Sequence, residues 1–350
     1  MKPLNRILAV VALALIPSGT FAATCEDALS TLKTTFSGQS TPALLTAVNV
    51  LKTAGCNPAT ERAAMRQASA VLAQRAQARL AADDIAGAEF ALANAPALHW
   101  AVQAIRGDIA AKKGDRGEAA QMYNAALDTI TDPALTPPDA RLVPVADRIA
   151  RLAQENTMLS GNLSASLTRG GQATGVLKSA MRGIVIEKAG TLTNSTDQSQ
   201  TENGKEPAYN APKDQYADGA GKESYVVADK VAASVGGIYL PIRFRSGSSE
   251  LDVAGIHEAE TVANFLLINK IHRLTVVGHT DEVGSEAFNL DLSIQRAQTV
   301  KHFFQAEGVH ATIHILGKGE SEPPKLVDYT IYSEEERRRI ARRVELVLQE

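Results

Sequence analysis

The chain has 350 residues and a net charge of −3, so it carries no basic field able to hold a polyanion, which excludes general nucleic-acid binding. Apolar residues make up 45% but aromatics only 5%, a bias toward alanine and small aliphatics that favours closely packed helices over an aromatic-rich β-sandwich. At roughly 100–200 residues per domain, two or three domains are expected.

Lys2 and Arg6 precede the apolar run from Ile7 to Ile16, Pro17-Ser18-Gly19 interrupt it, and Thr20-Phe21-Ala22 supplies small residues for cleavage. Residues 1–22 therefore read as a secretory signal peptide cut after Ala22, with an uncleaved anchor as the alternative. The run is shorter than the roughly 20 residues of a membrane span, so no transmembrane span is expected after cleavage. Cys25 follows closely, but Ala22-Ala23-Thr24 lacks the leucine and small neighbour of a lipoprotein signal. The only other cysteine is Cys56, and an even pair in an exported chain predicts a Cys25–Cys56 disulfide, free buried thiols being the alternative.

Residues 23–155 read as helical. Glu61 to Leu80 runs through Ala, Met, Leu, Gln and Arg with no Gly or Pro. Ala88, Leu92 and Ala95 recur as Ala119, Tyr123 and Ala126 at an offset of 31, each trio on one helix face where alanines admit a close neighbour. Gly107, the Gly114-Asp115 turn, Ala119, Tyr123 and Ala126 resemble a tetratricopeptide repeat, with one clear copy and one degenerate copy, although Arg106 and Ala110 stand where large residues are usual. The resemblance implies a concave helical surface for an envelope protein partner, with a plain helical bundle as the alternative.

Residues 156–235 read as a linker. It contains a short strand near 182–187 and a polar insertion at 191–224, rich in Asn, Gln, Ser, Gly and Pro, which buries too little to offset its ordering entropy. From 236 to 350 the pattern becomes mixed α/β. Strands are predicted at Ile238 to Phe244, Leu274 to Gly278, Thr312 to Leu316 and Val344 to Leu348, with helices at Ala254 to Leu267, Leu290 to Ala306 and Glu334 to Arg339. Ser333 and Glu336 form a capping box for the last helix, and Glu334 with Arg338 and Glu335 with Arg339 are spaced as i,i+4 pairs. The fold class expected is therefore α+β, with an N-terminal all-α region, a polar linker and a C-terminal α/β sandwich with a mixed sheet.

The segment Gly278-His279-Thr280-Asp281 leaves a strand through a loop and enters a helix whose apolar line is Leu290, Ile294, Ala297 and Phe304, with Arg296 at the margin of that face. A carboxylate at a strand end and a guanidinium early in the next helix suit a zwitterion: Asp281 accepts from an ammonium and Arg296 grips a carboxylate. An internal Asp281–Arg296 ion pair is the plainer alternative.

Phe244, the GHTD loop at 278–281, Gly284-Ser285, Asn289, Leu292-Ser293 with Arg296-Ala297, Gly308-Val309, Gly317 with Gly319, and Arg342-Arg343-Val344 follow one another in an order by which residues 238–350 resemble the OmpA-like peptidoglycan-binding domain. The resemblance implies non-covalent binding of the peptide stem of peptidoglycan, with the diaminopimelate side-chain terminus held between Asp281 and Arg296. Asn289 and Thr280 would shape the loop, backbone N–H groups near Gly247 would serve the ligand, and Arg342 would line or floor the pocket. Two departures from the family pattern are Ala341, where an asparagine is usual, and Gly247, where a polar side chain is common.

His279 with Asp281 offers two metal-ligand types, but a zinc hydrolase needs a third ligand, and His310 and His314 fit exposed strand positions. No Gly-x-Ser-x-Gly elbow is present. The expectation is a non-catalytic protein with no cofactor and no metal, periplasmic and associated with the wall or outer membrane of a Gram-negative bacterium. The alternative is an envelope scaffold or assembly protein whose OmpA-like domain no longer binds peptidoglycan.

Overall fold

The computed structural model describes residues 23–38, 40–167, 171–181 and 237–349. The expected signal peptide, the strand near 182–187 and the polar insertion at 191–224 lie outside the described residues. Two compact units meet in sequence between Glu61 and Arg62.

In the first unit, α1 (Cys25–Phe36) and α2 (Thr41–Thr53) pack together, burying Ala28 and Leu32 from one and Leu44, Val48 and Leu51 from the other. Each begins on a hydroxyl cap: Thr24 accepts from the Asp27 N–H and Ser40 from the Ala43 N–H, satisfying donors that a helix start leaves free. The predicted bridge is present, Cys25 being bonded to Cys56.

The second unit begins in α3 (Pro58–Ala81) and continues through α4 (Ile85–Ala93), α5 (Trp100–Lys112), α6 (Arg116–Thr131) and α7 (Val143–Ser160). Five of the six residues of the 31-residue repeat, Ala88, Leu92, Ala119, Tyr123 and Ala126, are at most 1% exposed. Helices α5 and α6 close on each other where Gly107 has no side chain, since a Cβ there would stand 2.7 Å from the Tyr123 ring. Residues 175–181 are helical, with Val176 and Leu177 buried.

The C-terminal part carries a four-stranded sheet of order β1-β4-β2-β3. Its strands are β1 (Ile238–Leu240), β2 (Arg273–His279), β3 (Thr312–Gly319) and β4 (Val344–Gln349). β4 runs antiparallel to β1 and β2, whereas β2 and β3 are parallel and joined through α9 (Glu286–Ala306), as a parallel pair requires. α8 (Val253–Ile268) precedes β2, and α10 (Glu334–Ala341) precedes β4. Leu274, Val276, Phe265, Val300, Phe304 and Leu346 form the core between helices and sheet.

Three expectations are corrected. The first strand ends at Leu240 and not at Phe244, because Pro241 has no N–H for the ladder; Phe244 instead bridges Leu251 across a turn. Leu290 and Ile294 are 45% and 38% exposed, and the buried face of α9 runs through Asn289, Leu292, Ser293, Arg296, Ala297, Val300 and Phe304. Arg296 is thus inside the buried face and not at its margin. In α10 the capping box and the Glu334–Arg338 pair are present, but Glu335 pairs with Arg342, beyond the helix end, and not with Arg339.

Within the second unit, helices and sheet share one continuous apolar core. α7 lies against β1 and α10. Its Gln154 accepts from the Tyr239 N–H at 2.8 Å, and Glu155 accepts from the Val327 N–H at 2.7 Å and the Tyr332 hydroxyl at 2.6 Å. Arg116 of α6 reaches Glu336 of α10 at 2.6 Å and lies over the Tyr332 ring, and Glu258 of α8 accepts from the Leu163 N–H at 2.8 Å.

Candidate functional site

The site grows from the tight packing of α9 on the C-terminal ends of β2 and β3. A Cβ on Gly278 would fall inside the Ser293 carbonyl, so glycine lets the helix backbone rest directly on the strand. Ser293 completes the joint: its hydroxyl donates to the Leu290 carbonyl at 2.7 Å and accepts from the Gly319 N–H at 3.0 Å. The loop between β2 and α9 is thereby pinned at both ends, and Ser285 starts α9 by accepting from the Phe288 N–H.

Asp281 is 8% exposed. Its Oδ2 accepts from Arg342 Nη1 at 2.6 Å and its Oδ1 from the Val283 N–H at 3.2 Å. Asn289 supports the same turn, donating its amide to the Asp281 carbonyl oxygen at 3.2 Å and to Glu320. Thr280 is held through its N–H to the Gly319 carbonyl at 2.9 Å, and its buried hydroxyl meets no hydrogen-bond partner among the described residues. His279 is fully buried beside Glu345, and burial holds its pKa below the ordinary histidine value. Among the described residues no group of three His, Cys, Asp or Glu is placed to hold a metal ion.

Arg296 is 6% exposed and forms no ion pair with a carboxylate among the described residues. Its Nε donates to the Ser248 carbonyl at 3.1 Å, and its guanidinium lies 5.0 Å from the centre of the Phe244 ring. Its pKa is lowered, first by burial and then by the Arg342 charge, with Asp281 acting in the opposite sense. Gly247 occupies the turn before Ser248 with φ of +64°, in the left-handed region that glycine adopts without strain.

The six sequence-predicted site residues thus fall in two groups, Asp281 with Arg342, Asn289 and Thr280, and Arg296 with the Gly247-Ser248 turn. The expected alternative of an internal Asp281–Arg296 ion pair is replaced by Asp281–Arg342, because Arg342 extends from the end of α10 toward the loop. Phe244, Arg296 and Arg342 also line a cleft of about 180 Å³ together with Arg243, Asp252, Arg339 and Met158.

Residues 243–339 match the OmpA family, a stretch that contains the loop, α9 and α10 up to Arg339. They form an OmpA family domain. Outer membrane protein P5 of Haemophilus influenzae is 30% identical over 109 residues, which cover 31% of this chain and 30% of P5. Outer membrane protein A of Klebsiella pneumoniae is 49% identical over 49 residues, 14% of each chain. The peptidoglycan-associated lipoprotein from Burkholderia pseudomallei aligns in structure at 24% identity, covering 31% of this chain and 88% of that one, with a TM-score of 0.27. This chain thus spans less than a third of the length of P5.

Among the residues that line the cleft beside this site, sequence reasoning missed Arg339, Arg243 and Met158. Arg339 lies three positions before Arg342, which was the available signal, since that spacing keeps two side chains on one helix side. Arg243 immediately precedes Phe244 but carries no pattern of its own. Met158 comes from α7, and nothing in its surroundings in sequence announces a ligand cleft.

Proposed function

We propose that the OmpA family domain binds peptidoglycan without catalysing a reaction, and so holds the helical region on the cell wall of a Gram-negative bacterium. The ligand is the diaminopimelate of the stem peptide: its side-chain ammonium is taken by Asp281 and its side-chain carboxylate by Arg296, with Arg342 and Asn289 keeping Asp281 in place. The observation that carries this reading is the state of Arg296, a buried cation bonded to a backbone carbonyl and an aromatic face instead of to a carboxylate. A buried guanidinium without a bonded anion is costly, and a ligand carboxylate supplies the missing charge in bidentate geometry. The protein is then periplasmic, with the helical region available to an envelope protein. Among the described residues no helix is long and apolar enough to cross a membrane.

One observation favours a second reading. Asp281 is already engaged by Arg342, so the pair serves as an internal brace if the domain is a scaffold that has lost its ligand. Co-sedimentation with purified diaminopimelate-type sacculi separates the two. Wild type is expected in the pellet, and Asp281→Ala and Arg296→Ala in the supernatant with unchanged circular dichroism. Wild type remaining in solution would give first place to the scaffold.

A further inference from the structure

The cleft beside Asp281 holds more positive charge than one ligand carboxylate answers. Four guanidiniums line it, those of Arg243, Arg296, Arg339 and Arg342, against the single carboxylate of Asp252. Arg342 is satisfied at both ends, by Asp281 and by Glu335. Asp252 lies 3.7 Å from Arg243 and is also occupied as the cap of α8, accepting from the Gly255 N–H at 2.6 Å. That leaves Arg296 and Arg339 as two cations in one cleft with no bonded carboxylate among the described residues. Burial lowers the Arg339 pKa, and the neighbouring charges of Arg243 and Arg342 lower it further, with the more weakly acting Glu335 and Glu336 in the opposite sense. Like charges brought together away from water are unfavourable until an anion joins them.

We propose that Arg339, assisted by Arg243, is a second carboxylate subsite of the same cleft, selecting a stem peptide in which the main-chain carboxylate of diaminopimelate is free. The inference rests on the proposed reading of Asp281 and Arg296. The diaminopimelate residue of that stem presents one ammonium and two carboxylates: Asp281 answers the first, Arg296 the side-chain carboxylate, and Arg339 the main-chain carboxylate. A volume of about 180 Å³ suits the end of such a peptide and not its whole length, being below the range of pockets that enclose drug-sized ligands. Met158 of α7 closes one wall, so the helical region contributes to the selection.

Titration calorimetry on the full mature chain tests this with two synthetic tripeptides, L-Ala-γ-D-Glu-meso-diaminopimelate with the main-chain carboxylate free or amidated, and with inorganic phosphate alone. Wild type is expected to prefer the free acid about tenfold, the scale of one charge-assisted contact. Arg339→Gln is expected to bind both peptides alike, at the wild-type affinity for the amide. Arg243→Gln, at a half-exposed position, is expected to reduce the preference and guards against a folding defect at Arg339. A preference that survives in Arg339→Gln overturns the subsite, as does equal wild-type binding of the two peptides. Phosphate binding that is lost in Arg339→Gln without any peptide preference also overturns it, in favour of a general oxyanion cradle. Wild type binding neither peptide overturns the diaminopimelate reading itself, and this inference with it.

Discussion

Glu155 accepts the Tyr332 hydroxyl at 2.6 Å and thereby sets a carboxyl group that is 1% exposed at the seam between α7 and the OmpA family domain. Its pKa is raised to about 7 by burial, which outweighs the hydrogen bonds from Tyr332 and the Val327 N–H and the charges of Arg151 and Arg148. The folded state therefore favours the protonated carboxyl, whereas the unfolded chain titrates near 4.5.

The seam is expected to weaken as pH rises. A group whose folded pKa is raised contributes stability that is fully present below about 4.5 and is lost as pH climbs through about 7. The loss is on the order of 2–3 kcal/mol across that window. Urea unfolding at pH 5 and pH 8 measures it, and Glu155→Gln is expected to flatten the dependence. A slope that persists unchanged in the glutamine variant would assign it to another group.

Arg116 and Glu336 join the helices to α10 with side chains 22% and 30% exposed, so their pair is expected to contribute about 0.5–1 kcal/mol and to fade with salt. A double-mutant cycle with Arg116→Met and Glu336→Gln reads this coupling. Glutamine can still accept from the Ser333 N–H, which keeps the capping box out of the comparison. A coupling energy of zero at low salt would remove the pair from the seam's energetics.

Gly278 and Gly247 test space against backbone conformation. Gly278→Ala drives a methyl group into the Ser293 carbonyl, and because backbone cannot rotate away the expected loss is about 3 kcal/mol. Gly247→Ala has nothing within 4 Å of the new methyl but holds φ at +64°, so about 1 kcal/mol is expected. Urea midpoints rank the two variants, and a milder effect at Gly278 would mean that α9 shifts off β2 without cost.

Breaking the Cys25–Cys56 bond, which spans a sequence separation of 31, is expected to remove about 3–4 kcal/mol from the stability of its unit. Dithiothreitol should lower the unfolding midpoint of wild type and leave that of Cys25→Ser/Cys56→Ser unchanged. Equal midpoints for oxidised and reduced wild type would show that the reduced chain loses nothing.

The elements of the C-terminal domain were legible because apolar period and end signals agreed there. Ser333 and Glu336 announced α10, and the alternating Ile313 and His314 marked β3. The sequence pattern starts α9 at Leu290 and not at Glu286, since Ser285 follows Gly284 in the loop and its capping role shows only in the structure. At the site itself the polarity rule inverts. Asn289, Ser293 and Arg296 are buried while Leu290 and Ile294 are exposed, because the first half of α9 packs its polar side against the loop and the strand ends. The Asp281–Arg342 partnership joins residues far apart in sequence, and no local spacing encodes it. The seam was equally hidden. Gln154, Glu155, Asn156 and Thr157 straddle the expected boundary between helical region and linker, yet all four are buried, their partners being supplied by the sheet domain or by α7's own carbonyls.

The eight residues of α10 face two ways. Glu336 meets Arg116 on the helical side, while Arg339, and Arg342 at the helix end, enter the cleft. Under the binding proposed above, a load on α6 and α7 would pass to the cleft through that short rod and the shared core. Within the second unit this joint would act as a bracket and not as a leash.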